Sequence, residues 1–368
     1  MKKIVSILLF LCSIQFAHAQ DIEKLCTSKM RKTAKPKVDS VLLKQRLKTL
    51  GITATKPYLI KLFVVIFADN DGSNVAATQD DVRRQIANMR DFFSSHDICF
   101  ALGAIQRVNS TTLNYLNADE EEGPLSEYAR SGLVTVFIHK SLFDSDGSVN
   151  GTAWGIPNNY LSVRASAIAD TNNISTLSHE MGHCFGLYHT FENIFFVGGE
   201  ENVARSGDCK DCDTDGDYLC DTQADRDPIS LTFIDPVTCT YTGNRRDDCG
   251  SILLMEPENI MSYGRRPCRK RFTAGQGNRC RNHIVSESIL TDALAGDNFN
   301  IFFPSVVTSD YKIYVARNTV TFGANGWLST GSAKVSATAN AIVVKAGTQF
   351  QPTANAGYAV LRVNPFCQ

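Results

Sequence analysis

The sequence predicts an α+β fold, strands and helices and then an irregular stretch, followed by a small all-β domain. Three observations predict it. Tyr58 to Phe67 is a near-continuous apolar run rich in β-branched residues, the pattern of a buried strand. Val82, Ile86, Met89 and Phe93 recur at helical spacing behind Thr78, which can cap a helix with Asp81 three residues on. From about residue 300, Tyr311–Val315, Thr319–Phe322, Ala333–Ala337 and Ala341–Val344 are short alternating segments separated by Gly, Asn and Ser. This last stretch fits a β-sandwich-like domain over 300–368, and no internal repeat is evident.

The remaining elements follow in chain order. Residues 1–19 read as a secretory signal, with Lys2 and Lys3 ahead of an apolar core and Ala17-His18-Ala19 at the cleavage point. No run is long enough to span a bilayer, so a soluble, secreted protein is expected. Residues 20–56 are basic and weakly apolar around Cys26 and Pro36, the character of a pro-segment or extended arm. Ile98–Leu102 and Leu133–Ile138 read as further strands and Trp154–Val163 as an edge strand, with Pro157 near its start. A second helix begins near Asn173. The seventy or so residues after it are rich in Asp, Gly and Cys and cannot fold on apolar burial alone. A chain of 368 residues is longer than one compact core usually uses, so two domains are expected, one over 57–290 and one C-terminal. The net charge of -1 argues against nucleic acid as a partner.

Chemistry concentrates in His179-Glu180-Met181-Gly182-His183-Cys184-Phe185-Gly186-Leu187-Tyr188-His189. Residues four apart share a helix face, so His179 and His183 can reach one ion. Glu180 is turned about 100° away, near enough to touch a metal-bound water without being a ligand. A continuing helix would carry His189 about 9 Å along the axis and to another side. Gly186 can take the left-handed conformation that ends the helix and turns the chain back. Three histidines and one open vertex describe a catalytic zinc, with a water activated by the metal and Glu180 as general base.

This extended motif resembles that of the metzincin metallopeptidases, and Asn259-Ile260-Met261-Ser262-Tyr263 is similar to their Met-turn. Gly186–Phe191, Gly216–Thr222 and Phe272–Gln276 narrow the resemblance to the pappalysin family, with its ulilysin-like bacterial members, over roughly residues 58 to 285. The resemblance implies a metzincin-type catalytic domain and a secreted zinc endopeptidase acting on proteins or peptides. It makes Met261 the packed floor of the metal site and assigns Tyr263 to steady the oxyanion. It also implies calcium near Gly216–Thr222 and a disulfide between Cys239 and Cys268. Cys249 resembles half of a second bridge, its partner left open among Cys209, Cys212 and Cys220. Cys184 stands where the family commonly has a bulky residue.

Two further expectations rest on the residues themselves. Asp211, Asp213, Asp215, Asp217 and Asp221 crowd around Gly216, and a hard cation would relieve their repulsion. Asp213, Asp215, Asp217, Asp221 and Thr222 are the candidate calcium ligands. Of the twelve cysteines, eleven remain once Cys12 leaves with the signal. An odd count in an exported chain reserves a thiol, and Cys26, ahead of the catalytic domain, is the candidate latency switch that would occupy the fourth zinc position. Arg265, Arg266, Arg269, Lys270 and Arg271 after the Met-turn suggest a pocket that disfavours arginine. The competing reading is a non-catalytic secreted binding protein or adhesin on the same scaffold. The C-terminal domain is open to a glycan, matrix or export-component partner.

Overall fold

The structure is a computed structural model that describes residues 24–26, 45, 48, 57–119, 122–192, 200–225, 233–301, 306–323, 327–354 and 356–363. The expected signal peptide and most of the expected pro-segment lie outside the described residues. Among the described residues no helix is long and apolar enough to cross a membrane.

The N-terminal unit is built on one twisted mixed sheet. Its strands are β1 (Lys24–Cys26), β2 (Tyr58–Ala68), β3 (Ile98–Asn109), β4 (Tyr115–Asn117), β5 (Val134–His139), β6 (Ser141–Asp144), β7 (Gly147–Ala153) and β8 (Tyr160–Arg164). They lie in the order β3-β2-β5-β8-β7-β6-β4, with β1 pairing β7. β2 is buried on both faces, as its unbroken apolar run requires. Helix α1 (Gln79–Ser94) begins at the expected Thr78–Asp81 capping box and buries Val82, Ile86, Met89 and Phe93 against the sheet. Helix α2 (Thr176–Cys184) and helix α3 (Ala274–Ser286) share that face. The opposite face holds a second core around Phe63, Phe67, Phe137 and Trp154.

Two local expectations change. The edge strand expected over Trp154–Val163 is a turn with a cis Ile156–Pro157 bond, then β8, which lies between β5 and β7 rather than at an edge. The proline explains the late start, because it cannot donate to a ladder. The β6–β7 hairpin was missing from the sequence pattern because Gly147–Ala153 lacks the apolar alternation that marks strands.

The C-terminal unit is all-β, but it is not a sandwich. Its strands are β9 (Asn298–Ile301), β10 (Val306–Val307), β11 (Tyr311–Val315), β12 (Thr319–Phe322), β13 (Leu328–Gly331), β14 (Lys334–Ala339), β15 (Ala341–Val344), β16 (Gln349–Pro352) and β17 (Tyr358–Val363). They form three three-stranded sheets, each parallel throughout. The chain therefore coils as a three-sided parallel solenoid of three rungs. Equivalent positions recur every 21 to 24 residues, as Thr319 pairs Asn298 and Tyr358 pairs Lys334. This is an internal repeat that the sequence pattern concealed. Phe322, Trp327, Val335 and Ala337 fill its interior.

The two units share packing. Val315 lies with Leu59, Ala101 and Ala295 in one small core. Tyr311 meets Phe63 edge-on at 5.5 Å. Gly103 is the extra residue of a β-bulge, since Leu62 pairs Leu102 and Phe63 pairs Ala104. A Cβ on Gly103 would stand 2.5 Å from Ile313 Cγ2, so only glycine lets the solenoid approach this closely.

Candidate metal centre and active site

Helix α2 ends in a Schellman motif built on Gly186. Gly186 has φ +87°, its N–H donates to the His183 carbonyl at 2.9 Å, and the Leu187 N–H donates to the Gly182 carbonyl at 2.9 Å. The turn brings the Leu187 carbonyl back onto His183 Nδ1 at 2.8 Å. It also carries His189 to the face shared by His179 and His183.

The three Nε2 atoms form a triangle with edges of 3.2, 3.2 and 3.1 Å. These contacts are not hydrogen bonds. His179 Nδ1 donates to the Ile260 carbonyl at 2.7 Å, His183 Nδ1 donates to Leu187, and His189 Nδ1 faces Glu192 Oε2 at 3.4 Å. With the protons on Nδ1, three Nε2 lone pairs point at one locus. Burial, and then the neighbouring histidines, push His179 and His183 well below the usual imidazole range, so both stay neutral. Three neutral nitrogens converging this closely repel unless a cation lies among them. With metal–nitrogen bonds of about 2.05 Å, these edges correspond to N–metal–N angles of about 100°, which suits tetrahedral zinc with one vertex open.

The packing around the three histidines is equally specific. Met261 is fully buried, and a Cβ on Gly182 would stand 2.7 Å from its sulfur. Tyr263 lies with its ring centroid 5.0 Å from His189 and 6.1 Å from His179, packed on Phe191 at 4.5 Å. Glu180 is fully buried, and a Cβ on Gly151 of β7 would stand 2.6 Å from its Oε1. Opposite Gly151 in the β1–β7 ladder is Cys26.

Several positioning groups escaped the sequence reading. Asn259 and Gln276, both fully buried, exchange two carboxamide hydrogen bonds of 3.1 Å each. Asn259 Oδ1 also accepts from the Met261 amide at 2.9 Å, which fixes the loop whose Ile260 carbonyl orients His179. Gln276 closes the capping box of α3 with Thr273, so the start of that helix is tied directly to the metal site. Buried Asp225 accepts from Thr190 and Ser262 at 3.0 Å each, joining the His189 loop to the Met-turn. The capping-box spacing of Thr273 and Gln276 was visible in the sequence. The partners of Asp225 are set only by the fold.

The acidic loop divides. Asp213 pairs with Lys210 at 2.5 Å, Asp215 accepts from the Thr214 hydroxyl at 2.9 Å, and Asp221 accepts from the Gly275 amide at 2.6 Å. Asp217 stays inside. Its Oδ1 accepts from Leu219 N and Thr222 Oγ1, both at 2.9 Å, while its Oδ2 is buried with no hydrogen-bond partner among the described residues. Burial pushes its carboxyl up to about 7. Glu201, which the sequence reading did not single out, is buried too, and a Cβ on Gly216 would stand 2.2 Å from its Oε2. Burial and then Asp217 push Glu201 up to about 9, against the pull of Arg205.

Cys239 and Cys268 are bridged as expected. Cys249 joins Cys209, and Cys212 joins Cys220. Cys184 and Cys280 are buried thiols. The odd count therefore gives no reason to reserve Cys26, because a leftover thiol is already present in the core. The basic run after the Met-turn is offset by acids, since Lys270 pairs with Glu258 at 3.2 Å and Arg271 with both Glu256 and Glu258.

Comparison with known proteins finds relatives among peptidases. The family model described as Pregnancy-associated plasma protein-A, a peptidase family, matches residues 127–285. An extracellular metalloprotease of Neurospora crassa is 29% identical over 237 residues, spanning 60% of this chain and 72% of the relative. One from Sordaria macrospora is 29% identical over 253 residues, spanning 64% of this chain and 77% of the relative. Mature mirolysin of Tannerella forsythia, solved with a cleaved peptide, superposes with a TM-score of 0.45 at 15% identity over 65% of this chain and 99% of its own.

Outer-shell partners of metal ligands typically set metal affinity within 10- to 100-fold. Gln276→Ala should therefore raise the zinc dissociation constant by about that factor while leaving the three histidines in place. Competition titration against a chromogenic chelator measures it, and an unchanged constant would show that the clamp does not orient His179.

Proposed function

We propose that this chain is a secreted metalloendopeptidase of the pappalysin family that hydrolyses protein substrates on a zinc ion held by His179, His183 and His189. The single observation that carries the reading is the triangle of Nε2 atoms with every Nδ1 turned to an acceptor. Bound there, zinc supplies Lewis acidity toward water and toward the substrate carbonyl. Glu180 lies on the same helix beside this point, where it takes a proton from the attacking water and passes it to the leaving amine. The Tyr263 hydroxyl, carried on the wall of the site, donates to the carbonyl oxygen as charge builds there. Extracellular metalloproteases among the relatives support secretion and agree with the signal-like residues 1–19.

Three refinements belong to the same proposal. Residues 20–56 form a pro-segment, 57–290 the catalytic domain, and 300–368 a C-terminal domain open to a glycan, matrix or export component. Cys26 acts in latency: β1 covers the edge of β7 beside Gly151 and Glu180, where an extended substrate strand would otherwise add. Calcium joins Asp217, Thr222 and Glu201, with Asp213, Asp215 and Asp221 in the surrounding acidic loop. Two buried carboxyls held side by side resist ionisation, and a hard cation removes that conflict. The adhesin reading gives no reason for three histidine Nε2 atoms to converge, and that convergence favours the catalytic reading.

Glu180→Ala should retain zinc by metal analysis and lose about 100- to 10,000-fold in casein or peptide turnover. Turnover within tenfold of the parent would refute the general-base role, and parent activity that survives chelation would refute the metal mechanism. Removing calcium with a selective chelator should lower the melting temperature, and adding calcium back should restore it. An Asp217→Asn protein should be insensitive to both treatments, and equal sensitivity in it would place calcium elsewhere. For latency, the uncleaved Cys26→Ala chain should show activity that the uncleaved parent lacks. Equal silence of the two would remove Cys26 from the switch.

A further inference from the structure

The solenoid does not close fully on the catalytic unit. A cavity of about 210 Å³ lies between β3 and α1 on one side and β14 and β17 on the other. Its existence follows from the backbone. Residue Gly103 bulges out of β3, and β14 already has both edges paired, so the two units meet without a continuous ladder.

The chemistry of the lining is one-sided. Arg83 reaches the cavity from α1 and Arg362 from β17, and no Asp or Glu among the described residues lines it. The Arg83–Asp80 pair, 3.0 Å long, lies on the surface with Asp80 94% exposed, and such a pair holds its arginine weakly. Strand alternation puts Val335 and Ala337 inside the solenoid and turns Ser336 outward, against the cavity. Ser336 is 2% exposed, and its hydroxyl has no hydrogen-bond partner among the described residues. Tyr358, on the same face of β17 as Arg362, is held protonated because burial and then Tyr311 push it up to about 12. Leu102, Ile105 and Val360 give the remaining wall an apolar surface.

Two cations, two hydroxyls and an apolar wall select a particular ligand chemistry. We propose that this cavity is a binding site for a carboxylate on a short, half-apolar body, with Arg83 and Arg362 holding the charge and Ser336 donating to it. Such a group comes from two sources, the α-carboxylate of a peptide ending in an apolar residue and the carboxylate of an acidic sugar. The site lies on the seam between the units and shares no residue with the metal centre.

Calorimetric titration of the full-length protein tests this with N-acetyl-leucine and its amide, and with glucuronate and methyl glucoside. At least one carboxylate should bind saturably, about tenfold or more tighter than its neutral counterpart, and the better of the two identifies the source. Arg83→Gln and Arg362→Gln should each weaken that binding about tenfold while casein turnover stays at the parent level. Arg83 sits on an exposed helix turn, so that substitution leaves folding intact, which a melting curve confirms. Absence of saturable binding by either carboxylate overturns the proposal. So does binding that neither arginine substitution alters, because the carboxylate would then be sitting on the zinc.

Discussion

Three imidazole lone pairs held within 3.2 Å of one another are an electrostatic conflict, and the fold is arranged to impose it. None of the three rings can turn away. Ile260 fixes His179, Leu187 fixes His183 and Glu192 faces His189. Burial then keeps His179 and His183 neutral, which leaves a metal ion as the way to satisfy the site. The arrangement stores its specificity in backbone carbonyls rather than in the ligands themselves. Hence loops with little secondary structure of their own are pinned so firmly.

That pinning explains several glycines. Gly182 lets the Met261 sulfur press against α2, Gly151 lets Glu180 lie along β7, and Gly186 both ends the helix and accommodates the His283 ring, which a Cβ there would meet at 2.2 Å. In each case a side chain would displace a buried group packed around the three histidines. The 13-residue α3 is the common brace. Its first turn clamps Asn259 through Gln276, and its third turn sets His283 against Gly186. A single helix thus fixes both the Asn259–Met261 loop and the turn between His183 and His189.

How much was legible in the sequence depends on the range of the interaction. The convergence of His179, His183 and His189 was readable because it is local: helix periodicity and one glycine explain it. The α1 cap was readable for the same reason. Asp225, Glu192 and Glu201 were not, because an acidic residue in an irregular loop carries no sign of its partner until the chain has folded. The acidic loop shows the limit most clearly. Asp213, Asp215, Asp217, Asp221 and Thr222 read as one ligand set in the sequence; in the fold Asp213 pairs with Lys210, Asp221 accepts from the Gly275 amide, and Glu201 from outside the run packs beneath Gly216.

The solenoid was misread for a related reason. Alternation reports that a strand has one buried face, and both a sandwich and a solenoid satisfy it. What separates them is pairing direction, which short strands of four to six residues with Gly and Asn between them do not declare. Once coiled, the unit brings a consequence for the enzyme. β3 is an outer strand of the catalytic sheet, and an open strand edge invites unwanted pairing. The Gly103 bulge breaks the regularity of that edge, and Ile313 fills the space beside it. Val315 then joins Leu59, Ala101 and Ala295 in a core that belongs to both units. Separating the solenoid would bare apolar surface on β2 and β3 at the same time as it reopened that edge. The C-terminal unit therefore completes the packing of the N-terminal sheet on the β3 side.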